Sequence, residues 1–180
     1  GRSGVDIGVG YSYPICAWGN LGFQFNGTWL DKLTFDTGLD VPNIPREYDC
    51  VGLYGNICLV PSPEWRHTAR LSWNHPDGYG LSVRWRYFGH VLLDATSDNP
   101  NLNGPVNPTD ERLGDQNYID LTANFRVGDH YNFRLGVNNL FDQEPPLTGQ
   151  DNCPAGPCNG NTWAQVYDAL GRYIFAGVTL

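Results

Sequence analysis

The chain has 180 residues, a formal net charge of −8 and an aromatic content of 13%. This acidic balance argues against a nucleic-acid-binding protein, which needs clustered lysines and arginines to neutralise phosphates. No run of about 20 apolar residues occurs, so the sequence contains no membrane-spanning helix. The 22 glycines and 13 prolines supply frequent turns and, together with the aromatic residues, favour an all-β chain.

Seven segments alternate apolar and polar residues with the period of two that is typical of a β-strand with two different faces. The second segment shows this clearly, because Leu21, Phe23 and Phe25 hold odd positions while polar residues and glycine hold most of the even ones. None of the segments has helical spacing over a useful length. The predicted strands are 4–13, 20–35, 64–74, 79–93, 116–127, 131–141 and 167–180.

The connections between these strands alternate in length. Three are short, at 14–20, 75–78 and 128–130, whereas three are long and rich in Pro, Asn, Gly and Asp, at 36–63, 94–115 and 142–166. Short turns at one end and long loops at the other are typical of an outer-membrane β-barrel. Strand length agrees, since about 11 residues at roughly 3.3 Å each, tilted by about 45°, span roughly 25 Å.

Basic residues keep to the polar side of the predicted strands. A lysine or arginine facing lipid at the membrane midplane would cost about 2–4 kcal/mol, which explains this placement in a barrel. The alternative is that any strand puts charge on its solvated face. The basic residues predicted to face the lumen are Lys32, Arg66, Arg70, Arg84, Arg86, Arg126 and Arg134. Most acidic residues fall in the long loops, so the sequence predicts a basic inner wall below acidic outer loops.

An odd number of strands cannot close into a barrel in which every strand is antiparallel to both neighbours. Exposed strand edges would then promote aggregation. The seven predicted strands are therefore expected to form one arc of a larger barrel. The first residues already read as a strand with no leader before it, so we expect the sequence to be a piece of a longer chain.

Four of the five cysteines form two close pairs in the long loops, and these disulfide candidates are Cys50, Cys58, Cys153 and Cys158. Local disulfides are favoured in an oxidising outer compartment. A zinc site is the alternative, but the spacing lacks Cys-x2-Cys repeats and no histidines cluster nearby. Cys16, in a short turn, has no partner that the sequence identifies and is expected to be a free thiol. We expect neither a metal ion nor a cofactor.

An enzyme is not expected. The four histidines fall in four separate segments, and no Gly-x-Ser-x-Gly or His-Glu-x-x-His motif occurs. One of them, His67, holds an apolar-side position near the predicted outer rim. We interpret it as a residue of the membrane interface and not as a ligand.

The stretch RLGVNNLFDQEPP, residues 134–146, resembles the signature of the C-terminal strands of TonB-dependent outer-membrane receptors. The segment GRYIFAGVTL at 171–180 is similar to their final strand, and YDCVGLYGNICLVPSPEWRHTARLSW with WRYFG is similar to a proteobacterial branch of the family. In that family an asparagine pair and the three residues after it close the penultimate strand and begin its outer loop. Here these residues are Asn138, Asn139, Leu140, Phe141 and Asp142.

The last strand departs from the family pattern in one respect. Such proteins usually finish in an aromatic residue, whereas this sequence stops at Leu180, so we expect the end to be trimmed. The same strand would place Arg172 on the lipid side, high enough to reach the phosphates of the outer leaflet.

The resemblance implies an antiparallel, up-and-down transmembrane β-barrel of 22 strands, of which residues 1–180 would be the C-terminal part without the plug domain. It also implies a location in the outer membrane of a Gram-negative bacterium. The implied partners are outer-membrane lipid, an N-terminal plug domain, TonB and an unidentified imported ligand. The implied function is energised uptake of a large, scarce nutrient such as a siderophore, another metal chelate or a glycan.

Two other classes of protein remain open at this point. A passive, porin-like barrel would share the strands but need no plug, and a soluble β-sandwich would use the long loops as a binding site. The lumen-facing basic residues have two possible partners, an anionic substrate or carboxylates of the plug. The plug is favoured, because a luminal arginine in a filled barrel needs a partner.

Overall fold

The computed structural model describes residues 1–128 and 130–180. Asp129, part of the short turn predicted at 128–130, lies outside the described residues. The strands in chain order are β1 (Arg2–Pro14), β2 (Asn20–Asp36), β3 (Glu47–Asp49), β4 (Leu53–Tyr54), β5 (Trp65–Asn74), β6 (Tyr79–Phe88), β7 (Val91–Leu93), β8 (Arg112–Leu113), β9 (Gln116–Val127), β10 (Tyr131–Asn138) and β11 (Tyr173–Thr179). Single 3₁₀ turns lie at Cys16–Trp18, Asp94–Thr96 and Gln150–Asn152. Within the described ranges, no helix is long and apolar enough to cross a membrane.

The seven long strands form one antiparallel sheet in the order β1-β2-β5-β6-β9-β10-β11, and β3 pairs with the end of β2. The prediction of an all-β, antiparallel, up-and-down architecture is confirmed. Over residues 1–128 and 130–180, β1 does not pair with β11, so the sheet is open, as expected for an arc of a larger barrel. Each long strand neighbours the next long strand in the chain, which gives the simplest possible connectivity.

The register separates two faces of the sheet. Leu71 lies opposite Phe23 and Val83, whereas Arg70 lies opposite Gln24 and Arg84. Side chains opposite one another share a face, so one side of the sheet is apolar and the other polar. Phe23, Leu71 and Trp85 of this apolar face are 40%, 54% and 39% exposed. They do not pack into a second β-layer in the described part of the chain, as the core of a sandwich would.

Three predicted strands are longer than the observed ones by more than one residue. The strand predicted at 79–93 ends at Phe88, and the chain resumes only briefly as β7 after Gly89 and His90. The strand predicted at 131–141 ends at Asn138, because Asn139 adopts a left-handed conformation with φ of 53°. The strand predicted at 167–180 begins at Tyr173, because Tyr167 is buried among the outer loops.

One predicted lumen-facing residue lies on the other side of the sheet. The β1–β2 pairing slips by one residue, so that Gly4 lies opposite Leu30 while Ser3 lies opposite Lys32. This bulge leaves Asp31 with no residue opposite it on β1. The residues of β2 after Asp31 therefore face the side opposite to the one that the alternation predicts. Lys32 therefore shares the side of Ser3 and the apolar face, and its prediction as a lumen residue is wrong.

The three long loops fold together into a compact unit, which we call the outer cap and define as residues 37–64, 89–115 and 139–172. Strands β4, β7 and β8 form a small sheet within it. Its larger core buries Tyr54, Val91, Leu93, Leu113, Cys158, Trp163 and Tyr167. Phe88, at a polar-face position of β6, packs edge-on against Tyr118 of β9 and against Tyr167 of the cap. The cap therefore covers part of the polar face of the sheet.

Both disulfides expected from the sequence are present in the outer cap, joining Cys50 to Cys58 and Cys153 to Cys158. Cys50 and Cys58 pack with Leu102 in a second, smaller core that joins two of the loops. Cys16 is a free and exposed cysteine in the turn after β1.

Candidate functional site

Asp120 of β9 is the centre of an ionic network on the polar face. Its carboxylate accepts hydrogen bonds from Arg84 Nε at 2.6 Å and from Arg86 Nε and Nη2 at 2.9 Å each. The backbone N–H of Asn139 donates a fourth at 2.9 Å. Asp120 is only 3% exposed, and these donors use the lone pairs that a carboxylate offers.

Arg86 extends this network to the outer cap. Its Nη1 and Nη2 donate to Asp168 at 2.8 Å and 2.5 Å, and its guanidinium lies 4.9 Å from the centre of the Tyr118 ring. Asp168 belongs to the third loop, so this ion pair ties the cap to the wall of the sheet. Asp120 and Asp168 are the partners that the sequence-based interpretation of these arginines overlooked. The sequence did contain a signal for Asp120, since it is an acidic residue at a polar-side position of the predicted strand 116–127, where basic residues were expected.

The asparagine pair of the family motif lies where β10 leaves the sheet. Asn139 is fully buried, its backbone N–H reaches Asp120, and its side chain accepts from Gln143 N and donates to Gln143 O. Leu140 N donates to Ile119 O at 2.7 Å, which keeps the chain against β9 for one more residue. The motif therefore builds a tight exit turn that is fixed to the ionic network.

The ends of the third loop are joined by Asp142 and Arg172. Arg172 donates its backbone N–H to Asp142 Oδ1 at 2.7 Å and its Nη2 to Oδ2 at 3.3 Å. The backbone N–H and then the guanidinium of Arg172 lower the pKa of the exposed Asp142 carboxyl. Arg172 was expected to reach toward lipid phosphates. In the structure it binds Asp142 of the same loop instead.

Four of the predicted lumen arginines have no acidic partner within 4.0 Å among the described residues, namely Arg66, Arg70, Arg126 and Arg134. Two of them border a depression of about 150 Å³ on the polar face, which we call the arginine pocket, lined by Arg70, Ser82, Arg84, Asp120, Thr122, Arg134, Asn138 and Phe175. Three guanidinium groups surround one carboxylate there, so the pocket carries a net positive charge and suits an anionic oxygen ligand.

A larger groove of about 590 Å³ lies where the outer cap overhangs β1 and β2. Residues 60–63 and 165–166 of the cap form one side, and Asp6, Thr28 and Leu30 line the strand side. Arg66 borders the same groove, so an unpaired cation lies in a mixed polar and apolar setting.

His67 lies on the apolar face in a cluster of aromatic rings. Trp65 Nε1 donates to His67 Nδ1 at 2.9 Å, and the Trp85 ring stands edge-on to the imidazole at 4.4 Å. His67 Nε2 is buried with no hydrogen-bond partner among the described atoms. No group of three or more His, Cys, Asp or Glu side chains that could hold a metal occurs in residues 1–128 and 130–180.

Taken together, an open antiparallel sheet with an exposed apolar face, an arginine-bearing polar face and long loops at one end has the features of an outer-membrane barrel wall. The sequence of residues 2–140 matches the family described as TonB dependent receptor-like, beta-barrel. The chain therefore belongs to the TonB-dependent receptor family, which consists of receptors and transporters of the Gram-negative outer membrane.

Solved structures agree with this fold. A mutant of the ferric enterobactin receptor PfeA from Pseudomonas aeruginosa is similar with a TM-score of 0.56 at 15% identity, over 98% of this chain and 22% of that receptor. A second PfeA mutant, in complex with enterobactin, gives a TM-score of 0.56 at 16% identity with the same coverage. The chain thus spans 22% of the length of these receptors. No curated protein matches the sequence.

Proposed function

We propose that these residues form the C-terminal wall and outer loops of an outer-membrane transporter that takes up a large, scarce nutrient with energy supplied through TonB. The observation that carries the proposal is the division of one sheet into an exposed apolar face and a face with unpaired arginines. Lipid suits the first face, and a filled lumen suits the second. In this proposal residues 1–180 belong entirely to a 22-stranded barrel whose plug domain lies upstream in the same protein.

The proposed ligand is an anionic ferric chelate. The similar solved structures are described as receptors of ferric enterobactin, an observation that makes a ferric siderophore the first ligand to test. The unpaired Arg66 at the groove also favours an anionic chelate over a neutral glycan.

Uptake through the full-length receptor is expected to require both the receptor and TonB. In a strain without the receptor gene, supplying that gene should restore accumulation of radiolabelled ferric siderophore, and removing TonB should abolish it. Equal accumulation with and without TonB would contradict the proposal and support a passive barrel. Recovery of the protein in the soluble fraction without detergent would eliminate both membrane interpretations.

The arginine pocket is proposed to bind carboxylates of the plug and not the transported ligand. Arg84 already pairs with Asp120, so Arg70 and Arg134 are the two arginines of the pocket with free hydrogen-bonding capacity. A guanidinium facing a plug inside the barrel requires an acceptor to offset its desolvation.

Replacing Arg70 and Arg134 together by glutamine tests this assignment in the full-length receptor. We expect amide hydrogen exchange in the plug to accelerate about tenfold, because charge-assisted hydrogen bonds between plug and wall are lost. Lys32→Gln is the matched control, since it removes a cation from the opposite side of the sheet and should leave the plug unchanged. Unaltered plug exchange combined with lost uptake would instead assign the pocket to the ligand.

A further inference from the structure

We infer that the three long loops of the outer cap move as one body, held together by two buried aspartates that have no cationic partner. Each aspartate lies on the second loop and accepts hydrogen bonds from N–H groups of another loop. The inference concerns the conformational behaviour of the cap and does not depend on which ligand is carried.

Asp94 fixes the first loop to the second. It is 4% exposed, and its Oδ2 accepts from the backbone N–H groups of Ile57 at 2.7 Å and Cys58 at 3.0 Å. Gly55 lies directly against this carboxylate, and a side chain at that position would collide with it. The parallel pairing of β4 with β7 joins the same two loops.

Asp110 fixes the second loop to the third in the same manner. It is 7% exposed, its Oδ1 accepts from Gly149 N at 2.9 Å, and its Oδ2 accepts from Asn152 Nδ2 at 2.9 Å. Gly149 lies against the carboxylate as Gly55 does at Asp94. Neither aspartate has a lysine, arginine or histidine nitrogen within 4.0 Å in the described part of the chain, so N–H donors alone hold these charges.

The third loop is in turn bound to the first, so that each of the three loops contacts both others. Trp163 Nε1 donates to Leu59 O at 3.0 Å, and Asn56 Nδ2 donates to Asp151 O at 2.7 Å. Tyr54 of the first loop donates its hydroxyl to the carbonyl of Asp110. Because every pair of loops shares buried contacts, separating any one loop breaks contacts to both others.

One disulfide stiffens each of the two cores of the cap. Cys50–Cys58 packs with Leu102 of the second loop, and Cys158 packs in the core that contains Trp163. The third loop is also tied to the wall through Asp168 and Arg86. A motion that moved any one of these three loops away from the polar face of the sheet would therefore displace the whole cap.

Hydrogen exchange of the full-length receptor in lipid nanodiscs tests this inference with Asp94→Ala. The variant leaves the N–H groups of Ile57 and Cys58 without their acceptor, and we expect exchange to accelerate about tenfold in 50–60, 91–113 and 148–167 together. Asp98→Ala is the control, since it removes an exposed acid from the same loop and should change nothing.

Acceleration confined to the first and second loops, with 148–167 unchanged, would overturn the inference. If Asp94→Ala prevents assembly of the receptor, exchange will be fast in β5 and β6 as well. In that case hydrogen exchange of the same three loop segments is measured in Tyr54→Phe. That variant removes only a hydroxyl, which donates to Asp110 O and lies 3.3 Å from Thr148 Oγ1 of the third loop. Joint acceleration of the three loops that extends to 158–167, away from Thr148, is again the supporting result.

Discussion

Replacing Asp120 by asparagine is expected to destabilise the folded protein by about 3–5 kcal/mol, the usual cost of removing one partner from a buried ion pair. The amide NH2 of asparagine would face N–H donors of arginine or of Asn139, and both arginines would lose their counter-charge. The midpoint of urea unfolding in detergent micelles, with intrinsic tryptophan fluorescence as the signal, measures this loss.

Asp6→Asn is the matched control for that variant. Asp6 also lies on a sheet strand, but it is exposed and accepts a single hydrogen bond from Thr28 Oγ1 at 2.7 Å. Its replacement should cost less than about 1 kcal/mol. Equal unfolding midpoints for the two variants would show that the network around Asp120 contributes no special stability.

Replacing Trp163 by alanine is expected to unfold the outer cap while leaving the main sheet intact. Trp163 is fully buried, packs edge-on against Tyr54 at 5.3 Å and donates to Leu59 O. Removing a buried tryptophan costs about 3–5 kcal/mol, a large part of the roughly 4–13 kcal/mol that a unit of about 90 residues provides at roughly 0.05–0.15 kcal/mol per residue. Brief trypsin treatment should then cleave within 37–64 or 89–115, where the native protein resists.

The control for the cap variant is Trp18→Ala. Trp18 is 69% exposed in the turn after β1, so its loss should leave the cap resistant to trypsin. Undiminished resistance in Trp163→Ala would mean that the cap does not depend on its aromatic core. General cleavage throughout the sheet strands would mean instead that the cap and the sheet unfold together.

The sequence predicted the seven long strands and their order well, because each has a residue period of two that faces two different environments. It misplaced those ends at which a strand meets the cap. Gly89, Asn139 and Gly171 redirect the chain at these points, and the left-handed conformation of Asn139 depends on contacts with Gln143 and Asp120. The β2 bulge that moves Lys32 is likewise invisible in a pattern of alternating residues.

The outer cap was predicted only as three loops with local disulfides. Its short strands β4 and β8 have two residues each, too few for any periodicity to show. The buried positions of Asp94 and Asp110 arise from long-range contacts, and the sequence marks them merely as acids among many in the loops. Asp168 was missed as a partner of Arg86 for the same reason, since it comes from a loop that is distant in sequence. Asp120, by contrast, lies on the neighbouring strand directly opposite Arg84.

The most direct test of the account asks what surrounds each face of the sheet in the full-length receptor. Single cysteines at Leu71, Ser72, Ser82 and Val83, introduced with Cys16 replaced by serine, can carry a nitroxide spin label in lipid bilayers. Leu71 lies opposite Val83, and Ser72 opposite Ser82, so the four sites sample both faces at one level of the sheet. We expect labels at Leu71 and Val83 to be relaxed strongly by oxygen, which concentrates in lipid, and labels at Ser72 and Ser82 to lack that response. Labels at Leu71 and Val83 that are shielded from oxygen, as under a second protein layer, would contradict the membrane assignment.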